Sequence, residues 1–281
     1  MNELIPKIPV GRTIERGIDY LTLEFSFITR AISNFLETGI DALVAGLNFF
    51  PPWVLILVFA GVSLWIAGRR AGVLTLLGFA LIWNLGLWGP TMSTLALVFI
   101  ATLIAVLVGV PLGVLAALFP RMKRVTMPVL DFMQTMPAFV YLIPAIPFFG
   151  LGPVSAIFST VIFAMPPAIR LTCLGIQQIP LELIEAADSF GANRRQKLFK
   201  LQVPLAMPTI MAGINQTIML SLSMVVIAAM IGARGLGAEV WRAIQRFEPG
   251  NGFEAGLGVV ILAMALDRVT QKLGARDKDS I

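Results

Sequence analysis

The stretch TMSTLALVFIATLIAVLVGVPLGVLAALF, residues 91–119, carries no charged residue over its whole length. About 20 consecutive apolar residues are enough for a helix to cross the hydrocarbon core of a bilayer, so this stretch predicts a transmembrane helix. Because it is longer than the core requires, the helix must tilt or extend beyond the bilayer. The expected fold is therefore that of a membrane protein.

The composition of the 281-residue chain agrees with this prediction. Hydrophobic residues make up 57% of the chain and charged residues 13%, whereas soluble domains have about 45–50% and 25%. The sequence lacks the strand-like alternation with turn signals that is typical of a barrel. The predicted fold class is an all-α membrane protein, a polytopic helical bundle of about seven transmembrane helices. The predicted spans are residues 50–68, 71–88, 91–119, 127–148, 153–176, 205–230 and 254–271.

Four prolines lie in or near the fourth and fifth predicted spans, namely Pro144, Pro147, Pro166 and Pro167. Proline removes a helix hydrogen bond and clashes with the preceding turn, so we expect helix breaks at these positions. Membrane proteins tolerate such breaks where neighbouring helices or a cavity satisfy the freed backbone groups.

The N-terminal part of the chain is predicted to be amphipathic. Apolar residues recur at alternating spacings of four and three at Ile14, Ile18, Leu21, Phe25, Ile28, Ile32 and Phe35. This spacing places one apolar stripe on a helix, with charged residues off the stripe. A helix lying in the membrane interface explains the pattern, and a helix packed on the transmembrane bundle explains it equally well.

The distribution of basic residues predicts the orientation. Basic residues concentrate on alternate connections, at Arg69, Arg70, Arg121, Lys123, Arg124, Arg194, Arg195, Lys197, Lys200, Arg268, Lys272, Arg276 and Lys278. The positive-inside rule makes these connections and the C-terminus cytoplasmic. With seven spans, the N-terminal tail, which includes Lys7, is then outside. The connection 232–253, with three arginines, is the outside connection that fits this orientation poorly.

The residue inventory excludes several classes of site. The chain has no histidine, and Cys173 is its single cysteine. The usual His/Cys metal sites, disulfides and Ser-His-Asp catalysis are therefore excluded, and Cys173 is interpreted as a small packing residue. The net charge of +5 reflects inner loops rather than a nucleic-acid partner. No G-x-x-x-x-G-K-[ST] phosphate loop occurs, so a partner must supply chemical energy.

A charged segment, EAADSFGANRRQKLFKLQVP at residues 185–204, interrupts the apolar runs. Pro180 is placed to begin a short helix, and acidic residues follow in its first turns, where carboxylates complement the helix dipole. Gly191 is placed to end that helix as a C-terminal cap. The small residues Ala186 and Ala187 lie beside the acidic face and allow another backbone to approach closely.

The second half of this segment predicts a basic helix. Asn193 is placed as its N-cap, and Pro204 marks the entry into the sixth span. The whole segment, residues 179–204, is therefore predicted to form two short cytoplasmic helices, one acidic and one basic. A protein-docking element is the favoured interpretation, and a solvated loop whose charges serve topology is the alternative.

The order Glu185-Ala186-Ala187, Gly191, then Leu201, Val203 and Pro204 resembles the EAA signature of ABC importer permeases. That pattern is EAA, three residues, Gly, nine residues, an aliphatic residue, one residue, an aliphatic residue and Pro. The resemblance implies that the loop inserts into a groove on a separate cytoplasmic ATPase. The coupling set that it implies is Glu182, Glu185, Ala186, Ala187, Asp188, Gly191, Arg194, Arg195 and Pro204.

Other stretches are similar to glycine betaine/proline betaine/choline permeases. They are QTMPAFVYLIPAIPFFGLG (134–152), FAMPPAIRLT (163–172), PLAMPTIMAGINQTIMLSLSMVVIAAMIGARGLG (204–237) and VVILAMALDRVTQ (259–271). The resemblance covers about residues 84–272 and implies the type I ABC importer permease fold. Arg234 departs from the family, which commonly has Gly there, and this difference puts the outer-gate region in doubt and suggests a contact with a binding protein.

The resemblance also implies the assembly and its location. The partners are two copies of a cytoplasmic ATPase, a second copy of this permease and an extracytoplasmic substrate-binding protein, in the lipid of a bacterial inner membrane. ATP and Mg²⁺ belong to the ATPase, and this chain binds no cofactor. The expected division is an N-terminal tail (1–49), peripheral transmembrane helices (50–88), a permease core with the coupling hairpin (89–272) and a cytoplasmic C-terminal tail (273–281).

Polar and aromatic residues within the spans are candidates for the translocation path. Polar groups in spans usually face the bundle interior or a water-filled cavity, although hydrogen bonding between helices is the alternative. An aromatic cage suits a quaternary ammonium cargo, although aromatic residues also serve packing. The candidate path and gate residues are Met136, Pro137, Phe139, Tyr141, Asn215, Gln216, Ser221, Ser223 and Arg234.

Two other functions are compatible with a helical membrane protein. An ion-coupled secondary transporter acting alone needs intramembrane ionisable groups and usually shows internal repeats; the charges here lie near the span ends, and no repeat is evident. A membrane anchor that docks an enzyme through 185–204 predicts spans free of polar residues, which Asn215, Gln216 and Thr217 contradict mildly.

Overall fold

The computed structural model describes residues 10–276, and within them the secondary structure is helical, without a strand. Short 3-10 turns at Ala138–Tyr141 and Ala229–Ile231 and a π-helical turn at Lys197–Gln202 supplement the α-helices. The α-helices are α1 (Val10–Glu24), α2 (Ser26–Phe49), α3 (Pro52–Ala67), α4 (Arg69–Asn84), α5 (Trp88–Leu118), α6 (Pro120–Thr135), α7 (Leu142–Phe149), α8 (Pro153–Gln177), α9 (Leu181–Ser189), α10 (Arg194–Gln196), α11 (Val203–Ala228), α12 (Leu236–Arg246) and α13 (Pro249–Arg276).

The centre of the bundle consists of α8 packed between α5 and α11. Small buried residues on these helices allow the close backbone approach that drives helix association in lipid. Some buried hydroxyls are satisfied locally, since Thr160 donates to the carbonyl of Ala156 and Ser159 to that of Ser155 at 2.8 Å. Cys173 is a buried free thiol in α8, which confirms its interpretation as a packing residue.

The helices α3 and α4 form a peripheral hairpin that packs on α13. Inside this hairpin, the hydroxyl of Thr75 donates to that of Ser63 at 2.9 Å. On its other face α4 approaches α13 closely, because a Cβ on Gly78 would lie 2.5 Å from a methyl carbon of Ile261. Glycine is therefore needed at 78 for these helices to pack at this distance.

The structure contains fewer single helices that can cross a membrane than the seven spans predicted from the sequence. By length and composition, the described residues contain three helices that can cross a membrane: Trp88–Leu118, Pro153–Gln177 and Arg194–Ile231. Two bent pairs raise the number to five, namely α2 with α3 and α6 with the segment Ala138–Phe149. The predicted seven spans are therefore not confirmed as a count and stay a prediction.

The fourth predicted span, 127–148, contains a helix break, but the break is not at Pro144 or Pro147. The helix ends at Thr135, and the chain turns by 111° before the next helical segment. The break lies at Met136, whose extended backbone (ψ 134°) is the conformation favoured before a proline, and Pro137 follows it.

The expected breaks at Pro166 and Pro167 do not occur either, because α8 runs through both residues. Both prolines are buried, and the carbonyl of Pro167 lies against Gly213 of α11. Packing by neighbouring helices thus keeps α8 helical despite the lost hydrogen bonds. In α7, Pro147 is likewise accommodated inside a short helix and Pro144 lies in its first turn.

The N-terminal helices pack on the bundle through residues other than the predicted stripe, and the position in the membrane interface stays a prediction. The second half of α2 packs on the bundle, where Ile40 is buried and Leu36, Val44 and Leu47 are half-buried. Most residues of the predicted stripe, in contrast, are exposed, and α2 meets α3 at a bend of 99°. At the other end, α13 continues through 273–276 of the predicted tail, whereas Lys7, Lys278 and the rest of that tail lie outside the described residues.

Candidate functional site

The acidic helix of the coupling hairpin stands away from the bundle. None of the residues of α9 is buried, and Glu185 and Ala186 are exposed while Ala187 is half-buried. Glu182 lies in the first turn, as predicted, whereas Pro180 occupies the position just before the first helical residue. The face that carries the EAA residues is therefore open to a partner.

Gly191 ends this helix through a defined capping motif. The N–H of Ala192 donates to the carbonyl of Ala187 at 3.0 Å, and the N–H of Gly191 donates to that of Asp188 at 2.9 Å. This pair of bonds is the Schellman arrangement, which needs a left-handed residue after the helix. Gly191 has φ +75°, and a Cβ there would meet no atom within 4 Å. The predicted C-terminal cap is confirmed, and the conformation rather than crowding within the chain selects glycine.

Asn193 begins the basic helix with a capping box. Its side chain accepts from the N–H of Gln196 at 2.9 Å, and the Gln196 side chain accepts from the N–H of Asn193 at 2.9 Å. The predicted N-cap is therefore confirmed. From Arg194 the chain is helical through to Ile231, so the basic half of the hairpin continues directly into α11.

The π-helical turn Lys197–Gln202 lies where the basic helix enters α11. Pro204 lies two residues after the end of this turn, and it cannot donate to the carbonyl of Lys200 because proline has no N–H. A π-helical turn accommodates such a missing bond without ending the helix, and such turns are frequent at functional sites. The entry of the sixth span near Pro204 stays a prediction, because the helix is continuous from Arg194 to Ile231 and α11 begins at Val203 only where the π-helical turn ends.

An ion pair joins the two halves of the hairpin. The ammonium nitrogen of Lys197 lies 2.7 Å from a carboxylate oxygen of Asp188. Both side chains retain contact with solvent, so the pair contributes modestly to stability. Its effect is geometric, because it holds the acidic helix against the start of the basic helix.

The structure also places two aromatic residues on the hairpin that the sequence analysis did not single out. Phe190 is 91% exposed and lies between Asp188 and the cap at Gly191, and Phe199 is 67% exposed. Exposed aromatic side chains beside the charged residues of the hairpin make it a candidate contact surface. Their signal in the sequence is a phenylalanine inside an otherwise polar stretch.

Two polar contacts join α6 and α8 near the base of the hairpin. The ammonium group of Lys123 donates to the side-chain oxygen of Gln177 at 2.6 Å, which links the start of α6 to the end of α8. Arg170 pairs with Asp131 at 2.5 Å, again between α8 and α6. These contacts bring the predicted basic connection at 121–124 and the hairpin to the same end of the bundle.

Among the candidate path residues, Tyr141 and Asn215 contact other parts of the chain. Tyr141 is buried, its hydroxyl donates to the carbonyl of Met133, and its ring meets that of Phe163 edge-on. The Asn215 amide donates to a carboxylate oxygen of Asp267 at 2.9 Å and accepts from Thr270. Tyr141 thus serves packing, and Asn215 forms hydrogen bonds between helices, which are the alternatives to a role in the path. Asp267, the partner of Asn215, was not among the residues predicted from the sequence.

Other candidate path residues lie on an open face. Gln216 and Ser223 are seven residues apart, two turns along one side of α11. Gln216 is exposed and Ser223 is exposed as well. The 3-10 turn at Ala138–Tyr141 packs against α11, with Pro137 and Phe139 exposed beside it.

Met136 and Ser221 do not share this exposure. Met136 is half-buried and packs against the main core cluster. Ser221 is fully buried, and within the described residues its hydroxyl has no hydrogen-bond partner.

Arg234 lies in the connection between α11 and α12. It is exposed and lines a cavity of about 370 Å³ together with Glu37 and Asp41 of α2 and Gly152 of the α7–α8 connection. The next part of this connection is held to α5, because the N–H of Leu236 donates to the hydroxyl of Thr94 at 2.8 Å. Arg234 thus faces acidic residues of the N-terminal segment.

The described residues contain no cluster of acidic or sulfur side chains with the geometry of a metal site. The structure places an exposed charged hairpin at one end of the bundle, exposed polar residues on α11, and a cavity lined by charged residues at the other end of α11.

Comparison with known proteins identifies similar chains. Residues 109–271 match the family model described as binding-protein-dependent transport system inner membrane component. The chain is 49% identical to the glycine betaine transport system permease protein OpuAB of Bacillus subtilis, over 98% of this chain and 97% of that protein. It is 48% identical to the glycine betaine/proline betaine transport system permease protein ProW of Escherichia coli, over 97% of this chain and 77% of that one.

Among solved structures, an inward-facing conformation of the MetNI methionine ABC transporter is similar. One of its chains superimposes with a TM-score of 0.61 at 22% sequence identity, covering 66% of this chain and 92% of that chain. At this identity the similarity concerns the fold alone.

Proposed function

This chain belongs to the family of binding-protein-dependent transport system inner membrane components, and from that premise we propose that it imports glycine betaine or a closely related quaternary ammonium solute. The chain is a permease subunit of an ABC transporter and not an enzyme, and ATP hydrolysis takes place in a separate chain. It is a multi-pass protein of the inner membrane that works with an ATPase and a substrate-binding protein. An ion-coupled transporter acting alone is not supported.

The identity and coverage of the relatives support the choice of cargo. Relatives named for glycine betaine are 48–49% identical over almost the whole chain. A choline transport permease of Bacillus subtilis is 30% identical over 60% of this chain, and a carnitine transport permease is 29% identical over 63%. Glycine betaine is therefore favoured over choline as the preferred cargo.

Uptake by the assembled transporter tests this proposal. The chain, its ATPase and its binding protein are reconstituted in vesicles, and accumulation of radiolabelled glycine betaine is measured with and without ATP. We expect ATP-dependent accumulation that unlabelled glycine betaine suppresses at lower concentration than choline does. Accumulation driven by an ion gradient without ATP, or stronger competition by choline, contradicts the proposal.

The coupling hairpin is the site at which we place the ATPase. The observation that carries this assignment is geometric: α9 exposes Glu185 and Ala186, and the basic half of the hairpin is continuous with α11. A force applied to the hairpin therefore acts on a helix that packs along α8 in the centre of the bundle. The coupling set described above, from Glu182 to Pro204, supplies the contacting residues. ATP and Mg²⁺ are bound by the ATPase and not by this chain.

The assembly that we propose contains two copies of this permease and two ATPase subunits. The open face of α11 with Gln216 and Ser223, next to Pro137 and Phe139, then faces the path or the second permease. The hairpin and the C-terminus are cytoplasmic, and the N-terminal helices and the Arg234 connection are outside. Arg234 is placed where a docked binding protein arrives.

A further inference from the structure

A long apolar groove runs along the outer face of the bundle between α4 and α13. It has a volume of about 710 Å³ and is lined by hydrophobic side chains over most of its length. The contributing residues Val73, Leu77 and Leu81 are spaced by four along α4, so they form one helix face. Each of the three side chains is at least 40% exposed, so the groove opens outward, where a membrane protein meets lipid.

The opposite wall has the matching periodicity. Leu257, Ile261 and Met264 are spaced by four and three along α13 and form a single face. The two helices are antiparallel, because Gly78 meets Ile261 while Thr75 and Val269 line a common cavity. The close contact between Gly78 and Ile261 lies within this groove.

One end of this groove is basic. Arg69 and Arg70 line it at the start of α4, and both are exposed. Arg268 follows Met264 by four residues on α13, so it lies on the same helix face, one turn nearer to the arginine end. Within residues 10–276, neither Arg69 nor Arg70 forms an ion pair with a carboxylate. Their charge is available to a ligand.

The dimensions agree with one leaflet of a bilayer. From Arg69 to Leu81 the groove follows twelve residues of helix, which is a length of about 18 Å. One leaflet contributes about half of the ~30 Å hydrocarbon core. The arginine end is also the end that the positive-inside rule makes cytoplasmic, where anionic lipids concentrate.

We propose that this groove is a binding site for an anionic phospholipid of the inner leaflet, with its phosphate on Arg69 and Arg70 and an acyl chain along α4 and α13. Charge complementarity and length select this occupant, because an apolar protein segment would leave both guanidinium groups without a partner. The site lies at the peripheral hairpin, away from the coupling hairpin and the open face of α11. It is independent of the cargo, and its orientation rests on the cytoplasmic placement proposed above.

Photoreactive lipids test the site in the full transporter complex. The complex is reconstituted in phosphatidylcholine vesicles that contain equal traces of diazirine-labelled phosphatidylglycerol or diazirine-labelled phosphatidylcholine, irradiated, and mapped by peptide mass spectrometry. We expect peptides containing residues 73–81 and 257–264 to be labelled about ten-fold more by phosphatidylglycerol. The double variant Arg69→Gln/Arg70→Gln is expected to label equally with both probes.

The control pair is Arg121→Gln/Arg124→Gln, two exposed arginines of α6 outside the groove, which should keep the wild-type preference. Gel filtration of each variant together with the ATPase measures assembly of the complex, and assembly shows that the variant is folded. A further variant, Leu77→Trp, fills the groove and should lower labelling by both probes. Equal labelling of the wild type, or a preference that survives Arg69→Gln/Arg70→Gln, overturns the proposal. Disulfide formation between two chains of a Leu77→Cys variant, without lipid labelling, assigns the groove to a second copy and also overturns it.

Discussion

The side-chain nitrogen of Asn215 lies 2.9 Å from a carboxylate oxygen of Asp267, and this contact joins α11 to α13. Thr270 donates to the amide oxygen of the same asparagine, and Gln271 donates to Asp267. The helix that emerges from the hairpin is thereby tied to the last helix of the bundle.

Replacing Asn215 with alanine is expected to destabilise the chain by about 0.6 kcal/mol, and by at most about 1.7 kcal/mol, as for other hydrogen bonds between membrane helices. Asn215→Asp should cost more, because it places a second carboxyl group against Asp267. Thermal unfolding of the purified complex measures both. Gln216→Ala, at the exposed neighbouring position, is the matched control and should have little effect. Unchanged unfolding of Asn215→Asp contradicts the structural role.

Substitutions of Gly191 should follow the ease with which each residue adopts a left-handed conformation. We expect ATP-driven uptake to fall in the order Gly, Asn, Ala, Val, because Asn tolerates φ +75° whereas for Ala this conformation costs about 1–2 kcal/mol and for a β-branched residue more. The measurement is initial uptake rate per complex in vesicles. If the Gly191→Asn variant is as inactive as the Gly191→Val variant, a clash with the ATPase rather than the Schellman cap explains the glycine.

Phe190→Ala should weaken the complex with the ATPase without unfolding the permease. The side chain is 91% exposed, so its loss costs the fold little, whereas an aromatic anchor buried in an interface is worth at least about 2 kcal/mol. We expect roughly 30-fold weaker binding to the ATPase by surface plasmon resonance. Phe253→Ala, a 73% exposed phenylalanine near the start of α13, serves as control. If the Phe190→Ala and Phe253→Ala variants bind the ATPase with equal affinity, Phe190 is not the aromatic anchor of the interface.

Cysteine labelling in intact cells tests the orientation. Cys173 is buried and is the one cysteine of the chain, so a Cys173→Ala background has no competing thiol. Ser189→Cys should react with a membrane-permeant maleimide but not with an impermeant one, because the hairpin is expected to be cytoplasmic. Phe253→Cys should react with both reagents. The reverse pattern inverts the topology.

Local features of the hairpin were accessible to sequence analysis, and long-range features were not. The cap at Gly191 and the capping box at Asn193 depend on residues within a few positions of each other, so spacing predicts them. The partner of Asn215 is 52 residues away in sequence, and nothing local points to Asp267. Phe190 was missed because an isolated phenylalanine is equally compatible with a buried position.

The prolines show the same division between local and tertiary information. Pro137 breaks the fourth predicted span, while Pro166 and Pro167 remain inside an intact helix. Proline has the same local effect at all three positions, so the difference comes from the surrounding structure. Burial alone does not explain it, because α5 and α6 run through the exposed Pro111 and Pro128. The helical class was predictable from composition, and the bend of 111° after α6 was not.

The helix from Arg194 to Ile231 has 38 residues and is therefore about 57 Å long, longer than the bilayer core is thick. It begins in the hairpin and ends at Gly232, beside the connection that carries Arg234. If this helix rotates rigidly about its midpoint, each of its ends moves by about 2.5 Å for every ~5° of tilt. A small rotation imposed on the hairpin is thus transmitted to the Arg234 end of the helix without any unfolding in between.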